Sequence, residues 1–363
     1  MGPLKGLKVV EMTGLAPAPY CGMMLADAGA DVLRIDRPGA GAAERHPERD
    51  VLKRSRPSLE VDLKTPEGVT TVRRLIGQAD ALIEGFRPGV MERMGLGPAV
   101  FQTSNPKLVY GRVTGWGQDG PIAQAAGHDV NYIALSGALN HIGPPGESPV
   151  VPLNLVGDFA GGGLLLAYGI MCAVFEAGRS GEGQVVDAAM LEGAASLMSY
   201  LFGHRAQGVL GERRGESVLN GYSPFYGVYE TKDGLYVTLA AAEPQFYQEF
   251  LTRTGQDAAE LPAQHDRAKW PEVRERFGTM FRGRTRAEWC ALLEGTDACF
   301  APVLTLDEVA DHPQNLHRKT FLEVAGVLQP APAPRFSRTP SALPVSAPQA
   351  VLDDETRRRW GLA

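Results

Sequence analysis

From Leu7 to Gly115 the chain alternates short apolar runs with amphipathic stretches, and this alternation limits the fold more than any other feature. LKVVEM, DVLRID, DALIEGF and LVYGRVTG are apolar runs of the buried-strand kind. Between them, APYCGMMLADAGA has helical spacing and stops at Gly29, and TPEGVTTVRRLIGQA opens on a Thr-Pro start signal. Strand, helix, strand, helix at this spacing predicts a parallel sheet wrapped by helices. Ligands of such sheets bind beyond the carboxyl ends of the strands. DVLRID ends in an acid, as the second strand of a dinucleotide-binding unit often does. The first strand, however, leads into TGLAPAPYCG instead of GxGxxG, which argues against a nicotinamide dehydrogenase.

A chain of 363 residues is too long for one small domain and predicts two domains, or one large α/β body with an appendage. Past Asp187 the character changes. SPFYGVYETKDGLYVTLA reads as two strands around the turn KDG, and the helical segments PQFYQEFLTRTG, WPEVRERFGTMFRG and TRAEWCALLEG follow. We expect a large α/β domain over residues 1–200 and a small α+β domain over 223–320. QPAPAPRFSRTPSALPVSAPQAV, rich in Pro, Ala and Ser, is expected to be extended and irregular. It lies in a third segment, 321–363, expected to strap back over the large domain and end in a short helix.

Charged residues at 21% exclude a disordered chain, and a net charge of −6 argues against a general nucleic-acid binder. Cys21, Cys172, Cys290 and Cys299 form no CxxC pair and no zinc spacing, which fits buried thiols in a reducing compartment. The start MGPLKGLKVVEM lacks a signal-peptide core and a myristoylation site, and RRRWGLA is neither a prenylation nor a peroxisomal signal, so a cytoplasmic protein is expected. FAGGGLLLAYGIMCAVF, Phe159 to Phe175, is uncharged but short for a membrane span, and is expected to be a buried core helix.

Three polar residues stand out. His128, in QAAGHDVNYIALSG, is a packed core residue, a metal ligand or a base on its local sequence alone. Asp158, in NLVGDFAGGGLLL, reads equally as a helix N-cap or as a base or nucleophile, its anion stabilised by the helix terminus and three glycines leaving room for a substrate. Glu243, in LAAAEPQFYQEF, sits before a Pro suited to the first helical position and is expected to be partly buried, in need of a partner. The basic residues Arg37, Lys53, Arg54, Arg56, Lys64, Arg87 and Arg93 are either a solvated surface or, since several follow predicted strands, a polyanion site.

The ordered set GLKVVEM, GADVLRIDRP, ADALIEGFRPGVMERMGLGP, TGWGQDGP, AGHDVNYIALSG, PLNLVGDFAGGG, SGEGQVVDAAM, EPQFY and PAPRFSRTP resembles the family III coenzyme A transferases and racemases over nearly the whole chain. One branch uses the Asp of a GD element as a nucleophile that moves CoA between carboxylic acids. The racemase branch adds a His in GHD and a Glu in EPQF, as here. That branch interconverts the 2R and 2S forms of 2-methylacyl-CoA thioesters by proton abstraction through an enolate. The resemblance implies a Rossmann-like parallel-sheet domain with a smaller α+β domain in an interlocked homodimer. It implies no cofactor apart from the CoA carried by the acyl-CoA substrate, and neither membrane nor nucleic-acid partners. The implied catalytic set is His128 and Asp158 on opposite faces of the reacting carbon, with Glu243 of the partner copy orienting His128. CoA and substrate would be held by Arg37, Val61, Asp62, Leu63, Lys64, Gly85, Phe86, Arg87, Arg93, Gly127, Asp129, Val130, Asn131 and Tyr132. Backbone N–H groups around Asp129 are the candidates for meeting the enolate oxygen. The stretch NGYSPFYGVYE departs from the family in its Asn-Gly-Tyr-Ser, which bears on the acyl pocket and not on the chemistry.

Overall fold

Six strands form one parallel sheet in the order β3-β2-β1-β4-β5-β6, with β1 Lys8–Met12, β2 Asp31–Asp36, β3 Ser58–Glu60, β4 Ala81–Glu84, β5 Val109–Thr114 and β6 Val185–Ala189. This computed structural model describes residues 2–40, 46–211, 213–215, 217–347 and 350–362. The chain divides into two compact units, one of Met1–Ser136, Leu153–Leu197 and Pro313–Ala363, the other of Gly137–Pro152 and Met198–His312. The segment 137–152, within the span expected for the large domain, thus groups with the second unit.

In the first unit both sheet faces are covered, so the strands are apolar almost throughout instead of alternating. Successive side chains point to opposite faces. Val9 packs with Ala18 and Leu25 of helix α1 (Pro17–Asp27) and with Leu166 and Ile170 of helix α5 (Leu165–Ser180). Its neighbour Val10 packs on the other side with Val72 and Leu75 of helix α2 (Pro66–Ile76) and with Trp360. The strand order reverses between β1 and β4, the switch point where such sheets open a crevice for ligands. Buried ion pairs of this unit include Glu11 with Arg56 at 2.7 Å, and Asp27 with Arg54. Burial pushes Glu11 up to about 7 against the pull of the Arg56 guanidinium.

The three glycines after Asp158 explain how its element packs. Leu155–Leu164 is a π-helix that runs directly into α5. A Cβ on Gly193, in helix α6 (Met190–Leu197), would lie 1.9 Å from the Gly161 carbonyl oxygen, and one on Gly163 would lie 2.5 Å from that of Pro17. Only glycine permits these backbones so close. The helix is buried on one side alone. Ile170, Ala173 and Ala177 are covered, whereas Leu164 (45%), Tyr168 (67%) and Phe175 (70%) are exposed. The expectation of a buried core helix therefore holds for one face only. An all-apolar sequence hides the periodicity that would have separated the two faces.

The end of the chain belongs to the first unit. Strands β10 (Phe321–Val324) and β11 (Val327–Pro330) form a hairpin whose two turn residues, Ala325 and Gly326, both have positive φ, as a tight hairpin turn requires. Gln329 and Pro330, expected to be irregular, close this hairpin and accept from the Arg54 guanidinium. The rest of the Pro-rich stretch is extended, with Ser55 and Val345 exchanging hydrogen bonds, while residues 348–349 lie outside the described residues. The last helix, Asp354–Arg359, delivers a fully buried Trp360 to the core.

In the second unit, β7 (Tyr226–Glu230), β8 (Tyr236–Ala240) and β9 (Phe300–Pro302) form an antiparallel sheet, with β7 and β8 joined at the predicted KDG turn. Helices α8 (Pro244–Thr254), α9 (Trp270–Phe281) and α10 (Arg286–Leu293) supply Phe250, Phe277, Phe281 and Trp289 to its aromatic core.

Candidate active site

The loops that leave β1, β4 and β5 at their carboxyl ends enclose a cavity of about 540 Å³ in the first unit. Its lining includes Leu15 and Ala16 after β1, Gly85–Pro88 after β4, Gly115 and Trp116 after β5, and Met190 after β6. His128 and Asp158 both line it, although they belong to different elements.

His128 is held by its backbone. It precedes helix α4 (Asp129–Leu135) in extended conformation, and its N–H donates to Asn131 Oδ1 at 3.0 Å. Its ring is thereby left exposed at the cavity. Gly127 is pinned between Trp116 and Tyr132, which meet edge to face at 4.8 Å, and a Cβ there would come within 2.9 Å of both rings. The Tyr132 hydroxyl donates to the Gly127 carbonyl, and burial with the nearby Asp158 charge pushes that phenol up.

Asp158 is not the N-cap. Asn154 occupies that position, and Asp158 stands in the first turn of the π-helix, half-buried, accepting from Asn154 Nδ2 at 3.1 Å. Burial raises its carboxyl above the ordinary range, the negative charge of Asp129 adds to this, and the Asn154 hydrogen bond and His128 oppose it. A group so placed reaches its protonated form more readily than a surface Asp.

Asp129 turns inward. It is buried, does not line the cavity, and its Oδ2 accepts from the backbone N–H groups of Gly157 (2.6 Å) and Asp158 (2.7 Å). The loop after β4 is anchored in a similar way. Glu84 is buried, takes the Arg112 guanidinium on Oε1 at 2.7 Å, and accepts from the Phe86 N–H on Oε2 at 2.7 Å. This fixes Gly85, Phe86 and Arg87 at the cavity wall, with Arg87 exposed.

A second cavity, about 710 Å³, lies beyond β1 and β2 and shares Gly14, Leu15 and Ala16 with the first. Arg34, Arg37 and Lys53 line it together with Asp36, Asp50 and Glu60. Ala16, on the shared loop, holds the unfavourable φ of +25°.

Seven of the singled-out residues thus come together at the first cavity: His128, Asp158, Gly85, Phe86, Arg87, Gly127 and Tyr132. Arg37 lines the second. Val61, Asp62, Leu63 and Lys64 follow β3, and Arg93 ends helix α3 (Val90–Arg93); these five, with Asp129, Val130 and Asn131, line neither cavity. Glu243 belongs to the second unit, at the N-cap of α8. It is exposed in the single chain and not partly buried as expected: as N-cap it precedes Pro244 in extended conformation and its side chain makes no cap hydrogen bond. The sequence reading missed the loop Gly14–Ala16, Trp116 and Met190. The first carries no dinucleotide motif, and its place after the first parallel strand is the signal that could have found it.

An α/β sheet with two ionisable side chains converging on a cavity at its switch point defines an enzyme-like ligand site. The sequence profile of CoA-transferase family III matches residues 4–353, and the chain belongs to that family. It is 47% identical to the alpha-methylacyl-CoA racemase of Mus musculus over 93% of this chain and 87% of the relative, and 46% identical to that of Homo sapiens with the same coverage. The succinyl-CoA:glutarate CoA-transferase of Homo sapiens is 29% identical over 93% of this chain and 81% of its own. A CAIB/BAIF family protein from Brucella suis has a crystal structure similar over 100% of both chains, at TM-score 0.83 and 25% identity.

Proposed function

We infer that the protein is a racemase acting on acyl-CoA thioesters, and that it interconverts the 2R and 2S forms of 2-methylacyl-CoA. The observation that carries this is the convergence of His128 and Asp158 on one cavity from separate elements. Racemisation must remove a proton from one face of the α-carbon and return one to the other, so it needs two groups that exchange the roles of base and acid. Imidazole does this near neutrality. Asp158, raised by burial, is brought toward the same range. A transferase that used Asp158 as a nucleophile would leave His128 at the same cavity without a task.

In this reading the enolate oxygen meets backbone N–H groups around Asp129, at the start of α4, where preorganised dipoles face the developing charge. The two cavities share the Gly14–Ala16 loop and suit one long ligand. The thioester sits beside His128 and Asp158, Arg87 meets phosphate on the way, and the nucleotide end lies by Arg37. Chain 61–64 and Arg93 are assigned to the CoA surface on the family resemblance alone. A second copy of the chain covers the exposed stripe of Leu164, Tyr168 and Phe175 and supplies Glu243 to His128, in a homodimer. The test is incubation of a single enantiomer in D₂O. A racemase installs deuterium at C2 and erases the stereochemistry, whereas a transferase waits for an acceptor acid and moves CoA to it.

A further inference from the structure

We propose that the Asp129 carboxylate is a positioning residue that fixes the reacting carboxyl of Asp158 relative to His128. The inference rests on the racemase reading above and names a residue for which the resemblance implies only ligand contact.

Three observations carry it. First, connectivity: Asp129 follows His128 directly in the chain, and its Oδ2 takes two backbone hydrogen bonds, from Gly157 and from Asp158 itself. One carboxylate therefore ties the residue after the imidazole to the backbone that presents the second proton-transfer group. Second, fit: a Cβ on Gly157 would lie 2.6 Å from Asp129 Oδ2, so the clamp requires glycine at that place. Third, cost: Asp129 is 5% exposed, and its Oδ1 finds no hydrogen-bond partner among the described residues. A buried carboxylate with a lone oxygen is an expensive way to hold two N–H groups. A neutral Asn would hold them with its amide oxygen at a smaller desolvation cost. The charge therefore has a use of its own.

That use is visible in what surrounds Asp158. Among the described residues, the groups that move its ionisation, besides burial, are the Asn154 amide, His128 and Asp129. Tyr132, one turn further along α4, feels Asp158 in its turn, together with Arg87 and Asp129. Of these neighbours, Asp129 is the one whose negative charge opposes ionisation of Asp158. The clamp and the charge thus act on the same group: the first sets where the carboxyl stands, the second keeps its protonated form accessible.

The experiment compares wild type, Asp129→Asn and Asp129→Ala by C2 deuterium incorporation from each enantiomer across pH, with kcat and KM measured separately. Asp129→Ala removes clamp and charge, and is expected to lower kcat about 10²-fold in both directions, the scale of a misplacement near 1 Å, with KM little changed. Asp129→Asn keeps the clamp and is expected to recover most of that loss. It should nonetheless move the limb of the pH profile that belongs to Asp158 toward lower pH, because the opposing charge is gone. Asp129→Ala with wild-type kcat, or Asp129→Asn with wild-type limbs, overturns the proposal. If Asp129→Ala fails to fold, the limb position in Asp129→Asn decides alone. A wild type that incorporates no deuterium defeats the racemase reading and this one with it, whereas deuterium in wild type beside an unmoved Asp129→Asn profile defeats this one only.

Discussion

His128 reaches the cavity on a backbone tied to the fold: the N–H is spent on Asn131 and the preceding glycine is wedged between two aromatic rings, while the side chain is exposed. Such a side chain can be cut back without disturbing the core. His128→Ala is expected to lose about 10²–10⁴-fold in turnover, the usual share of a general acid–base group, with an unchanged unfolding midpoint. Near-normal turnover in this variant would remove His128 from the chemistry. Asp158 carries a pH prediction. Its carboxyl is raised above the ordinary Asp value of about 3.9, so it holds its proton to higher pH than a surface Asp. In the direction where Asp158 must donate, the rate should fall as pH rises through that raised value. In the direction where it must accept, the rate should rise over the same interval. Two profiles whose limbs both sit at ordinary carboxylate pH would contradict the assignment. Arg87 is exposed at the cavity edge and has a different task. Arg87→Ala should raise KM more than it lowers kcat, the mark of uniform binding, and added salt should shrink the difference from wild type.

At the scale of elements, the close approach of the π-helix to α6 sets where Asp158 stands. Gly193→Ala forces a methyl group against the Gly161 carbonyl, and should cost about 1–3 kcal/mol of stability, as overpacking does, read from denaturant unfolding. An unchanged midpoint would show that the two helices have room to part. The same elements mark how far the sequence could be read. Strands β1, β2, β4 and β5 were legible as short apolar runs, and helices α1 and α2 by their helical spacing with a stop at Gly29 and a Thr-Pro start. Strand β3 has three residues, and β6 opens exposed and closes buried, so neither shows a pattern that stands apart from loop. The π-helix escaped because glycines and uniform apolarity erase the difference between faces. His128, Asp158 and Glu243 were noticed as polar residues in unusual settings, and the sequence could place them on loops or helix starts. Local pattern alone could not bring the first two to one cavity, which depends on a strand order that no local pattern encodes; only the family resemblance implied their meeting. The Asp129 clamp was out of reach for the same reason, since its partners lie 28 and 29 positions away.

At the scale of the whole molecule, the exposed apolar stripe on α5 and the exposed Glu243 both fit a site completed by a second copy. Co-expression of His128→Ala with Glu243→Ala tests this. If the two residues meet across an interface, one site of each mixed dimer carries both defects and the other neither, so activity returns toward half of wild type. If they meet within one chain, mixing restores nothing, and a stable active monomer in sedimentation contradicts the dimer itself. The central claim, however, is that one cavity exchanges the α-proton of an acyl-CoA on both faces. The direct measurement uses enantiopure 2-methylacyl-CoA in D₂O, without any acceptor acid, followed by mass and chiral analysis. The account predicts one deuterium at C2 and convergence of both enantiomers on the same mixture. Retention of the C2 proton and configuration, with CoA transferred once a carboxylic acid is added, would contradict it.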